Sequence, residues 1–222
     1  MSKSARPLAF AVAVIAWLAL VAQYVLFVAV TWSDPGPWVA TLRYFSFFTI
    51  LSNVLVASTT ALAAIGYGSR TGRFLADASV RGGVALCIGV TGLIYFFVLS
   101  STWAPTGAQW LVDKALHYAT PLSYFAWWTV GVEHGRLRWS DPLRWVLFPA
   151  AFLLWALLHG AWTHWYPYPF LDVDALGYAN VLRNGVLIGG LFVALGLLVV
   201  ALDRVLSRRV PVVPAVADDR AE

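Results

Sequence analysis

Two side chains that lie far apart in the chain, Thr49 and His117, have the types needed for acyl-transfer chemistry. A threonine hydroxyl is a weak nucleophile until a neighbouring base removes its proton, and a neutral imidazole often does so. Thr49 follows Arg43 into one apolar stretch, and His117 lies a few residues inside another. At a helical rise of about 1.5 Å per residue, both side chains lie within about 10 Å of a helix end. The pair therefore predicts a nucleophile and a general base at one depth.

Other polar residues gather at the same depth. Ser52 and Asn53 follow Thr49 at spacings of three and four, which places all three on one helical face. His159 ends the fifth apolar stretch, and Arg183 begins the sixth. Ionisable side chains inside a membrane segment are costly and mark functional sites. We therefore treat these residues as candidates for a common site.

Two other chemistries fit the same histidines. His117 and His159 could be the axial ligands of a haem. His117, His159, His164 and Asp113 could hold a zinc ion that activates water. Each polar residue also has a purely structural interpretation, because a membrane threonine usually bonds to a carbonyl about four residues earlier and serines and asparagines join helices.

The elements that must hold these residues are membrane helices. Of the 222 residues, 60% are hydrophobic and 12% are charged. In a typical soluble domain about 45–50% of the residues are apolar and about 25% are charged. The sequence predicts an all-α bundle of six transmembrane helices in one domain, residues 1–206, and a disordered tail, residues 207–222. The six apolar stretches are 8–30, 42–65, 80–100, 112–132, 143–161 and 181–202.

The basic residues indicate orientation rather than nucleic-acid binding, although the net charge is +4. All of the Lys and Arg residues except Arg43, Lys114 and Arg183 lie at one end of the predicted helices. By the positive-inside rule, that end and both termini are cytoplasmic. The abundance of Arg, Ala, Val and Gly favours a bacterial inner-membrane protein, with membrane lipids as its partners.

Three segments of the chain resemble a known family in order and spacing. Residues 43–53 are similar to the second-span signature of the androgen-induced gene 1 / ADTRP family and its bacterial relatives, and residues 116–121 resemble its fourth-span histidine followed by proline. Trp155, His159 and residues 165–171 resemble its fifth span and the outer loop beyond. The resemblance covers most of the chain and implies a fold of six membrane spans.

Vertebrate members of that family are intramembrane hydrolases of fatty acid esters of hydroxy fatty acids, with a threonine nucleophile and a histidine. Carried over by position, the resemblance implies Thr49 as the nucleophile and His117 as the base. The chain differs in having Lys114 where the vertebrate members have another histidine.

We therefore expect a lipid-ester hydrolase that works near the outer leaflet. Ser52 or Asn53 would stabilise the oxyanion, and Arg43 or Arg183 would pair with a fatty-acid carboxylate, with His159 in the same substrate-binding group. The alternatives are a non-catalytic lipid-binding or assembly protein, or a haem or zinc membrane protein.

Two further expectations concern cofactors and the outer loop. We predict no cofactor, neither haem nor stoichiometric zinc, because His134 lies at the opposite end from the other three histidines. Residues 165–171 are predicted to pack over the bundle as a partial lid with limited backbone freedom, since prolines fix their own φ. Asp172 and Asp174 would then face water.

Overall fold

The computed structural model describes residues 5–66 and 68–208, and the described chain is helical, without a β-strand. Two π-helical turns, Tyr95–Leu99 and Ala115–Ala119, follow α5 and α6, and a 3₁₀ turn, Pro169–Leu171, precedes the last helix. Beyond Arg208, the predicted disordered tail lies outside the described residues. The helices are α1 (Arg6–Thr31), α2 (Pro37–Tyr44), α3 (Phe48–Ile65), α4 (Arg70–Ala76), α5 (Ala78–Ile94), α6 (Gly107–Lys114), α7 (Thr120–Gly131), α8 (Asp141–Trp145), α9 (Leu147–Thr163) and α10 (Val173–Ser207).

Five helical segments of the described chain are long and apolar enough to cross a membrane, as in an integral membrane protein. Large apolar side chains cover the outside of the bundle: Leu18 on α1, Leu122 on α7 and Leu198 on α10 are 66%, 69% and 64% exposed. Apolar surface of this extent is unfavourable in water and is expected against lipid. The five segments are Arg6–Thr31, Phe48–Ile65, Ala78–Leu99, Asp141–Thr163 and Val173–Ser207.

The fourth predicted span, residues 112–132, is divided in the structure. Helix α6 ends at Lys114, the π-helical turn occupies Ala115–Ala119, and α7 continues from Thr120. In the turn, the Thr120 amide donates to the Ala115 carbonyl five residues earlier. The helical path thus runs from 107 to 131, but no α-helix within it is long enough to span a membrane by itself.

The second predicted span, residues 42–65, is not one helix. Helix α2 ends at Tyr44, Phe47 is extended, and α3 begins at Phe48. Between them the Ser46 hydroxyl donates to the Leu42 carbonyl and accepts the Trp155 indole N–H. Side-chain hydrogen bonds of this kind compete with the helical ladder. An uninterrupted apolar stretch gives no sign of this break.

Helices α9 and α10 also depart from uniform helices. Pro149 has no N–H to donate to Trp145 four residues earlier, and α8 ends at that residue before α9 begins. Helix α10 begins at Val173, where the Asp172 carboxylate accepts from Ala175 N–H. Gly177 then interrupts it with φ 73° and ψ 155°.

The bundle is held together by close packing around α3. A face of small residues on α1, including Ala9, Ala16 and Ala19, is buried against α3. Small side chains allow helix backbones to approach closely where lipid supplies no hydrophobic driving force. On its other side α3 packs against α5 and the Ala115–Ala119 turn. The start of α3 and this turn are therefore held side by side.

Candidate active site

Thr49 lies in the first turn of α3, directly after the break. Because the preceding residues are not helical, its hydroxyl forms no bond to a carbonyl four residues earlier, as Ser46 does to Leu42. The Thr49 Oγ1 atom instead lies 3.3 Å from His117 Nε2 and 3.3 Å from the Tyr168 hydroxyl. The helix break thus leaves the hydroxyl available for chemistry.

His117 lies within the second π-helical turn, which directs its ring towards α3. Its Nδ1 atom is 3.0 Å from the Asp113 carbonyl oxygen and 3.3 Å from Asp113 Oδ1. Both of these oxygens are acceptors, so the Nδ1 atom of a neutral ring carries the hydrogen. Nε2 is then an acceptor and faces the Thr49 hydroxyl. This is the tautomer that a general base requires.

Asp113 is the third member of the cluster and is 3% exposed. Its Oδ2 atom accepts a hydrogen bond from the Tyr95 hydroxyl and lies 3.5 Å from Lys114 Nζ. The Tyr95 ring stacks on His117 with centroids 3.9 Å apart and planes 17° apart. Asp113 and Tyr95 therefore fix the orientation of the imidazole, as the third group does in a nucleophile–base–orienter arrangement.

Tyr168 reaches the same point from the loop between α9 and α10. Its hydroxyl accepts from Thr49 N–H at 3.2 Å, and its ring packs edge-on against Phe47. Burial raises the pKa of Tyr168 above its ordinary value. The phenol therefore stays protonated, and its hydroxyl lies within hydrogen-bond distance of the Thr49 hydroxyl.

The loop packs over the start of α3, as the sequence predicts for residues 165–171. Tyr168 and Phe170 stack on each other and are partly buried, and Leu171 is buried. Asp174 is exposed, but Asp172 is half-buried because it caps the start of α10. Asp174 thus faces water as predicted, and Asp172 does so in part.

Thr49 and Tyr168 both line two cavities. The first, which we call the histidine cavity, has a volume of about 510 Å³, lies beside α1 and α6, and includes His117 and Asp113 in its wall. The second, which we call the phenylalanine cavity, has a volume of about 150 Å³ and lies between α3, α5, α9 and α10. Its wall includes Phe48, Phe152, Phe170 and Phe192.

Ser52 and Asn53 lie behind Thr49 and line neither cavity. Ser52 shares a hydrogen bond of 2.9 Å with Thr91 on α5. The Asn53 amide donates to the carbonyls of Thr49 and Leu116, at 2.8 and 3.3 Å. These two residues tie α3 to α5 and to the π-helical turn.

The other predicted substrate-binding residues lie outside the two cavities. The Arg43 guanidinium lies over Trp165 at 5.1 Å from the ring centroid. His159 is 3% exposed, stacks on Trp155, and forms no hydrogen bond through either ring nitrogen. Arg183 is exposed on α10. The structure therefore brings Arg43 and His159 together around Trp165, apart from Thr49.

The remaining histidines are paired elsewhere. His164 Nδ1 lies 2.9 Å from Asp174 on the exposed loop, and His134 Nδ1 lies 3.0 Å from Asp203 at the opposite end of the bundle. Within residues 5–66 and 68–208, no three His, Cys, Asp or Glu side chains are grouped as a metal ion would require.

Sequence reasoning considered Asp113 only as a zinc ligand and did not assign Tyr95 or Tyr168 to the site. The spacing of four between Asp113 and His117 is a usable signal, because residues four apart are neighbours on a helix. Tyr95 and Tyr168 reach the site only through tertiary packing, and Tyr168 lies 119 positions from Thr49. Comparisons of the whole chain with protein-family models, with curated proteins and with solved structures found no match.

Proposed function

We propose that the protein is an intramembrane hydrolase of lipid esters, with Thr49 as the nucleophile and His117 as the general base. One observation carries the proposal: His117 Nε2 lies 3.3 Å from Thr49 Oγ1 while its Nδ1 faces two oxygens of Asp113. A separation slightly longer than an ideal hydrogen bond is usual for catalytic groups without substrate.

The reaction follows from these positions. His117 takes the hydroxyl proton as Thr49 Oγ1 forms a bond to the ester carbonyl carbon. The bond to the alcohol oxygen then breaks, and the departing oxygen takes the proton from His117, which leaves an acyl-threonine. Water attacks the same carbon with His117 again as base, which releases the fatty acid and returns the proton to Thr49.

Tyr168 is the group best placed to stabilise the oxyanion. Its hydroxyl is 3.3 Å from Thr49 Oγ1, its own lone pair is used by Thr49 N–H, and its proton is available. A donor aimed at the developing charge in a water-poor site contributes strongly to catalysis. Tyr168 thus takes the role that the sequence led us to expect of Ser52 or Asn53.

The substrate class follows from the walls of the site. Side chains of both cavities are predominantly apolar, which favours an ester of long hydrocarbon chains over a water-soluble one. The resemblance to the androgen-induced gene 1 / ADTRP family favours fatty acid esters of hydroxy fatty acids within that class. Arg43, in the last turn of α2, or Arg183, exposed on α10, would bind the free carboxylate of such a lipid.

The membrane arrangement belongs to the same proposal. The helical path 107–131 would be the fourth of six crossings, since its α7 part carries the lipid-exposed Leu122. The distribution of Lys and Arg then places both termini in the cytoplasm and the Thr49 site near the outer leaflet of a bacterial inner membrane.

The test is hydrolysis of long-chain lipid esters by the purified protein in detergent micelles. Thr49→Ala should abolish turnover and labelling by a fluorophosphonate probe, whereas Thr49→Ser should retain both in part. Thr60→Ala is the matched control, because Thr60 is fully buried on the same helix and bonds to its own Val56 carbonyl.

Wild-type turnover and labelling in Thr49→Ala would remove Thr49 as the nucleophile. If the wild-type protein bound lipid esters without hydrolysing any of them, the non-catalytic lipid-binding function would replace the enzyme.

A further inference from the structure

The two cavities meet at the reacting atoms but differ in what else lines them. Thr49 and Tyr168, the nucleophile and the oxyanion donor, are in the wall of both. His117 and Asp113 are in the wall of the histidine cavity and not of the phenylalanine cavity. An ester whose carbonyl carbon is at Thr49 therefore has one group on each side, in chemically different surroundings.

Proton transfer decides which group lies on which side. The alcohol oxygen must receive its proton from His117 Nε2 when its bond to the carbonyl carbon breaks, so it must lie on the histidine side. The carbonyl oxygen turns towards the Tyr168 hydroxyl, at the junction. The acyl chain is the third substituent of the carbonyl carbon, and it then points into the phenylalanine cavity.

The side chains that line the phenylalanine cavity agree with this assignment. Apart from Thr49, Thr91 and Tyr168, all of its side chains are hydrocarbon or glycine, and the Thr91 hydroxyl bonds to Ser52 and to the Cys87 carbonyl. A dry apolar cavity of about 150 Å³ accepts a group about the size of benzene. The cavity therefore has room for the first several carbons of an acyl chain.

The histidine cavity, the larger of the two, suits the alcohol part of the ester and the water molecule that attacks in the second half-reaction. Its wall adds amide and hydroxyl groups to apolar ones, including Gln23, Gln109 and Thr102, and the two glutamines bond to each other at 2.8 Å. Once the alcohol leaves, water can occupy its place beside His117. Water must attack from there, because His117 is its base.

We propose that the protein binds its ester across the two cavities, with the acyl chain in the phenylalanine cavity and the alcohol in the histidine cavity. The inference rests on the proposed hydrolase function and adds its substrate selectivity. The phenylalanine cavity should select the acyl chain by length and shape, and substitutions in its wall should leave selectivity for the alcohol unchanged.

Gly189 offers a way to fill the phenylalanine cavity. It lines the cavity from α10, and a Cβ atom added there meets no atom within 4 Å. The neighbouring Gly190 is exposed, lines neither cavity and also has open space around an added Cβ. Gly189→Ile and Gly190→Ile thus make the same chemical change on adjacent positions of one helix, inside and outside the cavity.

The experiment measures kcat/KM with two series of esters. In one the acyl group varies from acetate through octanoate to palmitate with hexanol as the alcohol, and in the other acetate is kept while the alcohol varies. We expect Gly189→Ile to lower kcat/KM about tenfold or more for the long acyl groups, since one methylene in an apolar pocket is already worth about tenfold. Acetate esters of every alcohol, and all rates of Gly190→Ile, should stay near wild type.

A second pair of variants makes the test independent of α10. Ala150 lines the cavity from α9, and Ala151 does not, so Ala150→Leu should repeat the acyl-length effect and Ala151→Leu should not. If filling the cavity changed selectivity for the alcohol, or lowered all rates equally in a folded variant, the assignment of the two sides would be wrong. A wild-type protein that hydrolysed no ester would overturn the hydrolase function itself and the inference with it.

Discussion

Residues 5–66 and 68–208 include two histidines that each contact a buried aspartate, one pair at each end of the bundle, and the pairs differ in what the second ring nitrogen faces. At the first, His117 Nδ1 is beside Asp113 and Nε2 faces the Thr49 hydroxyl in a cavity. At the second, His134 Nδ1 is 3.0 Å from Asp203 and Nε2 is 3.1 Å from the Thr129 carbonyl. Both nitrogens of His134 face acceptors, so neither is free to take a proton from a substrate.

The second pair has a structural use. Asp203 on α10 also accepts the backbone N–H groups of Gly135 and Leu137, at 2.9 and 3.0 Å, and so ties the segment after α7 to the last helix. A histidine and an aspartate in contact therefore do not make a catalytic site. A threonine hydroxyl and an open cavity at the second nitrogen distinguish the first pair.

The largest expected effect separates the two histidines. His117→Ala should lower kcat by more than about a thousandfold in a folded protein, because losing the base leaves the hydroxyl inert. His134→Ala should instead destabilise the protein by about 1–3 kcal/mol, because Asp203 loses a buried partner. Ester hydrolysis and thermal unfolding in micelles measure the two effects. An inactive but fully folded His134→Ala would contradict the comparison.

A second substitution tests Tyr168, the proposed oxyanion donor, because we assign no such donor to the His134–Asp203 pair. Tyr168→Phe should lower kcat about a hundredfold, the usual loss for one oxyanion donor, while its ring keeps the contacts with Phe47 and Phe152. Tyr166→Phe is the control. Tyr166 is in the same loop as Tyr168, but its ring lies against Gly160 of α9. Equal loss in both variants would mean that the loop acts through packing alone.

The two aspartates should differ less sharply. Asp113→Asn should lower kcat about tenfold, below the effect usual for this substitution in a triad, because the Asp113 carbonyl still holds His117 Nδ1 at 3.0 Å. Asp203→Asn should leave kcat of the folded protein unchanged and lower its stability by about 1–3 kcal/mol, since it loses a charged acceptor for two amides. An unchanged kcat in Asp113→Asn would mean that the Asp113 carbonyl and the stacked Tyr95 ring orient His117 without the carboxylate.

The smallest effect concerns pH. Burial raises the pKa of Tyr168 in the folded protein, whereas the unfolded chain has a tyrosine pKa of about 10. The Tyr168 phenol therefore makes its full contribution to the free energy of unfolding below about pH 10. The contribution declines at higher pH, because the phenol loses its proton in the unfolded chain before it does so in the folded protein. The Tm of the wild-type protein should fall more steeply than that of Tyr168→Phe above about pH 10. Parallel curves would contradict this.

The sequence predicted five of the long apolar helices and a common depth for Thr49 and His117, for physical reasons that act locally. Apolar stretches of sufficient length stand out in any window, and polar side chains within them are rare enough to be noticed. The position of His117 could be estimated because helical rise is constant. These properties need no knowledge of how the helices pack.

Other features were not predictable from local pattern. At the break before Phe48, the Ser46 hydroxyl accepts a hydrogen bond from the Trp155 indole of α9, which is 109 positions further along the chain. Ser52 and Asn53 share a helical face with Thr49, but one turn further along α3 they contact α5 and the π-helical turn and line neither cavity. The face shared by the three residues was therefore predicted, whereas the neighbour that each one meets depends on the tertiary structure.

The π-helical turn at Ala115–Ala119 has a consequence for how such a site arises in evolution. A π-helical turn contains one residue more than an α-helical turn. Deleting one of its residues would restore a regular α-helix and rotate α6 relative to α7 by about 100°. With α7 held in place by its packing, Asp113 and Lys114 would then turn away from Tyr95, with which both now form hydrogen bonds. This contact thus depends on one extra residue, and loss of a single codon would remove it.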